Sequence, residues 1–373
     1  MFRNLMFSLL VFFCLFFVSC KDDTNSPNDV NNSNDSGRCV YYTKNTCDDQ
    51  DCSLDSIQIR RYNFETGKDE LFMRKAILIG IVGRTVYYEA WNSATQEIIV
   101  HKCDSKGNND IQLFTILLYK FYTPVLSPDG SKILYYSRLN ENTDDYNICC
   151  SNIDGTINRV IYSSSGFELD LPMAAFTADS KKIGISEQQF DHIYLFTSNT
   201  DGINIKQENI VNGFGLMGGG LSPDGKYFAY NSLEGYEYDY YDEFDSTDIA
   251  VYDFAGKQSK KITVDGNNAF ILTWSPDGSK LAFVNIEGAV CIINSDGSNI
   301  KEITNIGAIG IPILWYLPWY DITMTWTADG KELLLHYPDP YADDSYTLRL
   351  VNTETKAERI IVSGVIGNAY MME

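Results

Sequence analysis

Two segments of this 373-residue chain concentrate side chains that could bind a partner. Between Glu234 and Asp248, seven acids (Glu234, Glu237, Asp239, Asp242, Glu243, Asp245, Asp248) interleave with Tyr236, Tyr238, Tyr240 and Tyr241. Hard cations such as Ca2+ require several oxygen donors close together. Asp239, Asp242, Glu243 and Asp245 are therefore the candidate metal ligands, with Ca2+ the only cofactor expected. Their spacing does not follow the EF-hand template, and a solvated acidic loop has the same composition. The second segment, Ile306 to Tyr320, is apolar and aromatic, with Trp315, Tyr316, Trp319 and Tyr320 at its end. Trp and Tyr are the side chains most favoured as interface anchors, because one ring excludes water over a large area at little entropy cost. The same rings stack on sugars. Asp144 and Asp145, with Asp339, Asp343 and Asp344, supply further carboxylates.

Covalent chemistry is poorly provided for. There is no Gly-x-Ser-x-Gly elbow, no His-Glu-x-x-His and no phosphate-binding glycine loop. The three His residues, His101, His192 and His336, are scattered. No Cys-x-x-Cys pair occurs, so a zinc ribbon or thioredoxin-type site is unsupported. Cys47 and Cys52 flank Asp48-Asp49-Gln50-Asp51 and form the candidate disulfide. Cys103, Cys149, Cys150 and Cys291 lie in strand-like runs and read as small buried apolar residues.

The elements that must position these residues are repeated hairpins. Leu126-Ser127-Pro128-Asp129-Gly130-Ser131-Lys132, Leu221-Ser222-Pro223-Asp224-Gly225-Lys226 and Trp274-Ser275-Pro276-Asp277-Gly278-Ser279-Lys280 are strong copies of one turn. Phe176-Thr177-Ala178-Asp179-Ser180-Lys181 and Trp326-Thr327-Ala328-Asp329-Gly330-Lys331 are weaker ones. Pro presets φ, while Asp and Gly tolerate the turn beyond it. Gly83-Arg84 and Gly37-Arg38 begin two degenerate copies. The first core residues after the turns (Val40, Val86, Ile133, Ile183, Phe228, Leu281, Leu333) are spaced by 46, 47, 50, 45, 53 and 52. A second hairpin follows each, with turns such as Lys106-Gly107, Asp154-Gly155 and Asp296-Gly297. Two hairpins per unit make a four-stranded blade, so the expected fold is all-β, a β-propeller of seven blades with six as the alternative. Val365 to Met372 is expected to join the N-terminal hairpins as a strand that closes the ring.

These copies resemble the TolB-like, WD-repeat-like propeller repeat over almost the whole chain after Gly37. The α/β domain that precedes the propeller in TolB has no counterpart here, which argues against a TolB-like role in translocation. The resemblance also extends to propeller lyases that act on pectin fragments through a divalent metal held by His and Gln on the loop face. His192 and His336 are the residues that could reach such a site.

The N-terminus carries an address. Arg3 precedes an apolar run from Leu5 to Val18, about 14 residues and short for a membrane span. It ends in Phe17-Val18-Ser19-Cys20, which resembles the bacterial lipobox. Residues 1–19 are thus read as a lipoprotein signal peptide, with Cys20 as the lipidated residue. Residues 20–37 are read as a flexible tether rich in Asn, Asp and Ser, and residues 38–373 as the propeller domain. Lys21-Asp22-Asp23 resembles the signal that sends lipoproteins to the outer face of the outer membrane; a periplasm-facing anchor is the alternative. With 50 acids against 29 bases the net charge is −21, which opposes nucleic-acid binding and leaves the lipid anchor as the only membrane contact. The expected function is non-catalytic binding of an envelope protein, peptide or glycan through the face bearing the long loops. The alternative is a carbohydrate-active lyase or hydrolase with a loop-face divalent metal.

Overall fold

The computed structural model describes residues 38–365 except 46–56, 93–96, 117–123, 139–145, 165–172, 190–191, 203, 215–219, 233–247, 264–268, 286, 308–321 and 339–345. Every described element is a β-strand, and every pairing is antiparallel. β1 (Cys39–Asn45), β2 (Ile57–Asn63) and β3 (Asp69–Arg74) make a three-stranded sheet. β4 (Ala76–Val82), β5 (Thr85–Asn92), β6 (Glu97–Asp104) and β7 (Ile111–Ile116) make the next. β8 (Val125–Leu126), β9 (Lys132–Arg138), β10 (Tyr146–Asn152) and β11 (Arg159–Ser164) follow.

An eight-stranded sheet comes next. It contains β12 (Met173–Phe176), β13 (Lys182–Gln189), β14 (His192–Asn199), β15 (Lys206–Phe214), β16 (Gly220–Leu221), β17 (Tyr227–Ser232), β18 (Asp248–Asp253) and β19 (Gln258–Lys261). Two four-stranded sheets complete the chain. One is β20 (Ala269–Trp274), β21 (Lys280–Asn285), β22 (Ala289–Asn294) and β23 (Lys301–Asn305). The other is β24 (Thr323–Trp326), β25 (Glu332–Pro338), β26 (Tyr346–Asn352) and β27 (Glu358–Val365).

The architecture is a β-propeller, but the blade count read from the repeat does not stand. Five sheets have four strands or more and one has three, in place of seven (or six) separate four-stranded blades. Two features overturn the count. β15 pairs with β17 through Gly213↔Ser232 and Phe214↔Asn231, which fuses into one sheet what the spacing had divided. The first sheet contains β1, β2 and β3 alone among the described strands. The expected closing strand from Val365 onward is not among the described pairings, since β27 ends at Val365 and residues 366–373 lie outside the described residues.

Among the described residues, side chains join the first sheet to the last. Val40, Tyr42 and Tyr62 of the first sheet pack against Leu334, Leu348, Leu350 and Ile361 of the last. Arg38 pairs with Glu332 at 2.6 Å, and the Arg359 guanidinium donates to the Tyr62 hydroxyl at 2.9 Å and to the Phe64 carbonyl at 3.3 Å. The Phe64 contact belongs to a recurring clamp, in which a basic side chain reaches the backbone carbonyl of a turn in the following sheet. Arg61 reaches Ser105, Arg159 reaches Asp201, Lys260 reaches Asp296, and Lys301 reaches Thr353 and Glu354. Between the clamps, alternation along each second strand fills the core. Val86 and Tyr88 pack on the first sheet, while Tyr87 packs on Ile133 and Tyr135 of the sheet after.

The two ends of the ring differ. At one end every connection is a short turn. Ser127 Oγ donates to Asp129 Oδ1 at 2.7 Å, Ser131 N donates to the same oxygen at 2.9 Å, and Lys132 N donates back to Ser127 Oγ at 2.9 Å. The Thr177, Ser222, Ser275 and Thr327 turns repeat this network. These bonds hold Asp129, Asp179, Asp224, Asp277 and Asp329 ionised, with carboxyls below the usual range. At the other end leave the long connections, including β9–β10, β17–β18, β23–β24 and β25–β26.

Candidate functional site

The long-loop end is where the sequence-predicted residues belong. Asp144 and Asp145 fall between β9 and β10. Tyr240, Tyr241, Asp239, Asp242, Glu243 and Asp245 fall between β17 and β18. Trp315, Tyr316, Trp319 and Tyr320 fall between β23 and β24, and Cys47 and Cys52 fall between β1 and β2. All of them, and Cys20, lie outside the described residues. The strands from which the acidic and aromatic connections leave belong to consecutive sheets: Val251 packs with Phe283, and Ile303 with Trp326. β9 and β10, which flank Asp144 and Asp145, belong to the sheet that packs on the near end of the eight-stranded sheet, through Ile148, Phe176 and Ile183.

The described base of this face is a tier of buried polar side chains on β1, β5, β13, β17 and β25. Thr43 Oγ1 accepts the Leu78 amide at 3.1 Å, and Asn231 donates to the Ala269 carbonyl, so each ties its sheet to the inner strand of the next. Glu187 accepts the Tyr162 hydroxyl from the preceding sheet. Asp248, the last acid of the acidic insertion, is already engaged: Thr263 Oγ1 donates to it at 3.1 Å and Lys261 Nζ lies 3.7 Å away. His336 is buried and stacks on Tyr346 with centroids 4.9 Å apart.

Glu89 is the member that sequence reasoning missed. It sits two residues beyond Tyr87 and shares its side, toward β8–β11. It is 5 % exposed, and its Oε2 finds no hydrogen-bond partner among the described residues. Burial alone pushes its carboxyl up to about 8, so it keeps its proton at neutral pH. The facing sheet presents a polar row at the same end, where Asn147 pairs in register with Ser137 and accepts the Ser163 hydroxyl at 2.6 Å. The signal was present in Thr85-Val86-Tyr87-Tyr88-Glu89-Ala90, where a lone acid occupies a core-facing place of an apolar strand.

The thiols behave as the sequence suggested. Cys39, Cys103, Cys149, Cys150 and Cys291 are buried, and the last four are free thiols. Burial, with nearby Asp110 and Asp104, pushes Cys103 up to about 12, and burial pushes Cys150 and Cys291 to about 11, so these three stay protonated at neutral pH. His101 Nδ1 lies 3.2 Å from Asp110, which also accepts the Tyr88 hydroxyl at 2.6 Å, well away from the long-loop end. Among the described residues no three His, Cys, Asp or Glu side chains converge as a metal site. No described helix is long and apolar enough to cross a membrane.

No family model matches the chain, and no curated protein matches it. Solved structures do. TolB from Acinetobacter baumannii superposes with a TM-score of 0.51 at 16 % identity, over 85 % of this chain and 79 % of that one. An oligogalacturonate lyase in complex with manganese gives 0.52 at 12 % identity, over 74 % and 73 %. A prolyl endopeptidase gives 0.61 at 12 %, over 90 % of this chain and 49 % of that one. The likeness is one of fold. The chain is a TolB-like propeller in that sense, and proteins with different activities share its scaffold.

Proposed function

We propose that this TolB-like propeller is a binding module that engages an envelope protein, peptide or glycan through its long-loop face. The observation that supports this is the contrast between the two ends. The turn end saturates its Asp side chains with its own backbone amides, which leaves few groups to recognise a partner. The opposite end carries the long connections that hold Trp315, Trp319, Tyr240, Tyr241, Asp144 and Asp145, on a base of buried polar groups that ties neighbouring sheets together. Long loops on a rigid scaffold are where recognition concentrates. In this reading Trp315, Tyr316, Trp319 and Tyr320 anchor the partner. The acids form a rim that favours cationic or polyhydroxyl groups, and Asp239, Asp242, Glu243 and Asp245 are the place a Ca2+ ion would take. Cys47 and Cys52 would brace the first long connection as a disulfide, and lipidation at Cys20 would hold the ring at the outer membrane, facing outward.

A glycan array probed with the labelled protein, together with cross-linking in envelope extract, tests the reading. Trp315→Ala with Trp319→Ala should weaken binding by about 1–4 kcal/mol and leave the melting temperature unchanged. Normal binding in those variants, with loss in a well-folded Asp129→Ala variant, would move the site to the turn end. The competing reading, a lyase or hydrolase with a loop-face metal, draws on the fold shared with the manganese-bound oligogalacturonate lyase. Bound divalent metal together with cleavage of oligogalacturonate would establish it instead.

A further inference from the structure

The outer edge strands of the sheets are guarded by charge, with one exception. Strand β3 carries Asp69, Glu70 and Arg74; β11 carries Arg159; β19 carries Lys260 and Lys261; β23 carries Lys301 and Glu302; and β27 carries Glu358 and Arg359. Strand β7 reads Ile111-Gln112-Leu113-Phe114-Thr115-Ile116, without a charge, a Pro or a Gly. It is the terminal strand of its sheet, so its outward backbone groups have no strand beside them among the described residues. Backbone irregularity does not set it apart, because β3, β11, β23 and β27 show register shifts of the same kind.

The clamps show what β7 gave up. Arg159, Lys260, Lys301 and Arg359 each use a basic side chain of an outer strand to hold the next sheet's turn. β7 reaches the next turn through an apolar contact instead, with Phe114 against Gly155. Ile111 is 50 % exposed at this edge, as Val160 and Ile360 are beside the charges of β11 and β27. Natural sheets blunt exposed edges with charge, since an uncharged edge of high β-propensity templates another strand.

We propose that β7 pairs antiparallel with β7 of a second copy of this chain. The unguarded edge is its own best complement. With a two-fold axis through Phe114, that residue meets its own copy, Leu113 meets Thr115, and Gln112 meets Ile116. These are one aromatic pair flanked by pairs of an aliphatic with a neutral polar residue, with no like-charge contact between strands. Among the described outer strands, β7 alone can self-pair with no charged residue in the paired segment. Opposing the association is the net charge of −21 on each copy. It acts over distance and is screened by salt, whereas strand pairing is not. Dimerisation should therefore strengthen with ionic strength, the reverse of an interface held by ion pairs.

Sedimentation velocity of the full chain, from about 0.1 M to about 1 M salt, reads this directly. A concentration-dependent dimer that tightens with salt is expected. Thr115 is exposed, so Thr115→Lys should leave the thermal melt unchanged while weakening dimerisation at least about tenfold, by placing charge on the pairing edge. Thr115→Val should tighten it. A chain that remains monomeric throughout overturns the proposal and leaves β7 to a strand of another protein. A dimer that weakens with salt, or that Thr115→Lys does not change, also overturns it.

Discussion

Replacing Glu89 with Gln keeps the shape and removes the ionisable proton, so it isolates the cost of burying this one carboxyl. In the folded protein the group holds its proton up to about pH 8, whereas in the unfolded chain it releases it near the ordinary value of 4.5. A raised carboxyl pKa makes folding less favourable as pH rises between these two values, because the unfolded state is the one that ionises freely. At about 1.4 kcal/mol per pH unit, the penalty grows to about 3 kcal/mol at pH 7 and about 5 kcal/mol above pH 8. The Glu89→Gln variant escapes it. Urea melts of both proteins at about pH 4.5, 7 and 8.5 should show nearly equal stability in acid. The variant should then be more stable by these growing margins. Other titrating groups cancel in the difference, since the two proteins share them. A difference that does not vary with pH, or a Gln variant less stable at pH 7, would refute the buried, protonated state of Glu89.

Three other outcomes follow from the fold and the address. Gly130 has φ of 69°, and a Cβ there would meet Val82 at 3.1 Å, so Gly130→Ala should cost about 1–2 kcal/mol in a thermal melt. Arg359→Met should cost about 1–2 kcal/mol through the lost bonds to Tyr62 and Phe64, and hydrogen exchange should then quicken in β2 before it does in β21. Cys20→Ser should release the protein from the membrane fraction and abolish incorporation of labelled fatty acid; a variant that still sediments with membranes would remove the anchor.

The repeat was legible because its turn needs particular residues. Ser127, Asp129 and Gly130 form a hydrogen-bonded unit that few other residues can build, and the same constraint recurs at Ser222, Ser275 and Thr327. Even the weak copy at Ser180 obeys it, holding φ at 58° while its hydroxyl accepts the Asp129 amide from the neighbouring sheet. Sheet boundaries were not legible. They depend on whether Gly213 and Phe214 run on to meet Ser232 and Asn231, a matter of two residue pairs that spacing cannot encode. The expected closing strand falls on residues 366–373, outside the described residues. An apolar segment at the C-terminus suggested a strand, while the joint described here is made by Arg38, Arg359 and the facing cores of the first and last sheets. The candidate binding residues stand out by composition alone and lie outside the described residues, whereas the buried polar tier on the strands leaves a faint trace in the sequence, because one acid in an apolar strand carries little weight until its burial is known.

The joint between Arg359 and Phe64 spans 295 residues of sequence. A chain that emerges N-terminus first, from a ribosome or from an export channel, delivers its first sheet long before its last, so Val40, Tyr42 and Tyr62 wait with an apolar face uncovered until nearly the whole polypeptide has emerged. During that interval each finished sheet can dock on its predecessor, but the assembly remains an open arc with two sticky ends. The ring is therefore completed in a late, single event, and a chain that ends before Arg359 should be a substrate for chaperones and proteases even though most of its sheets can form.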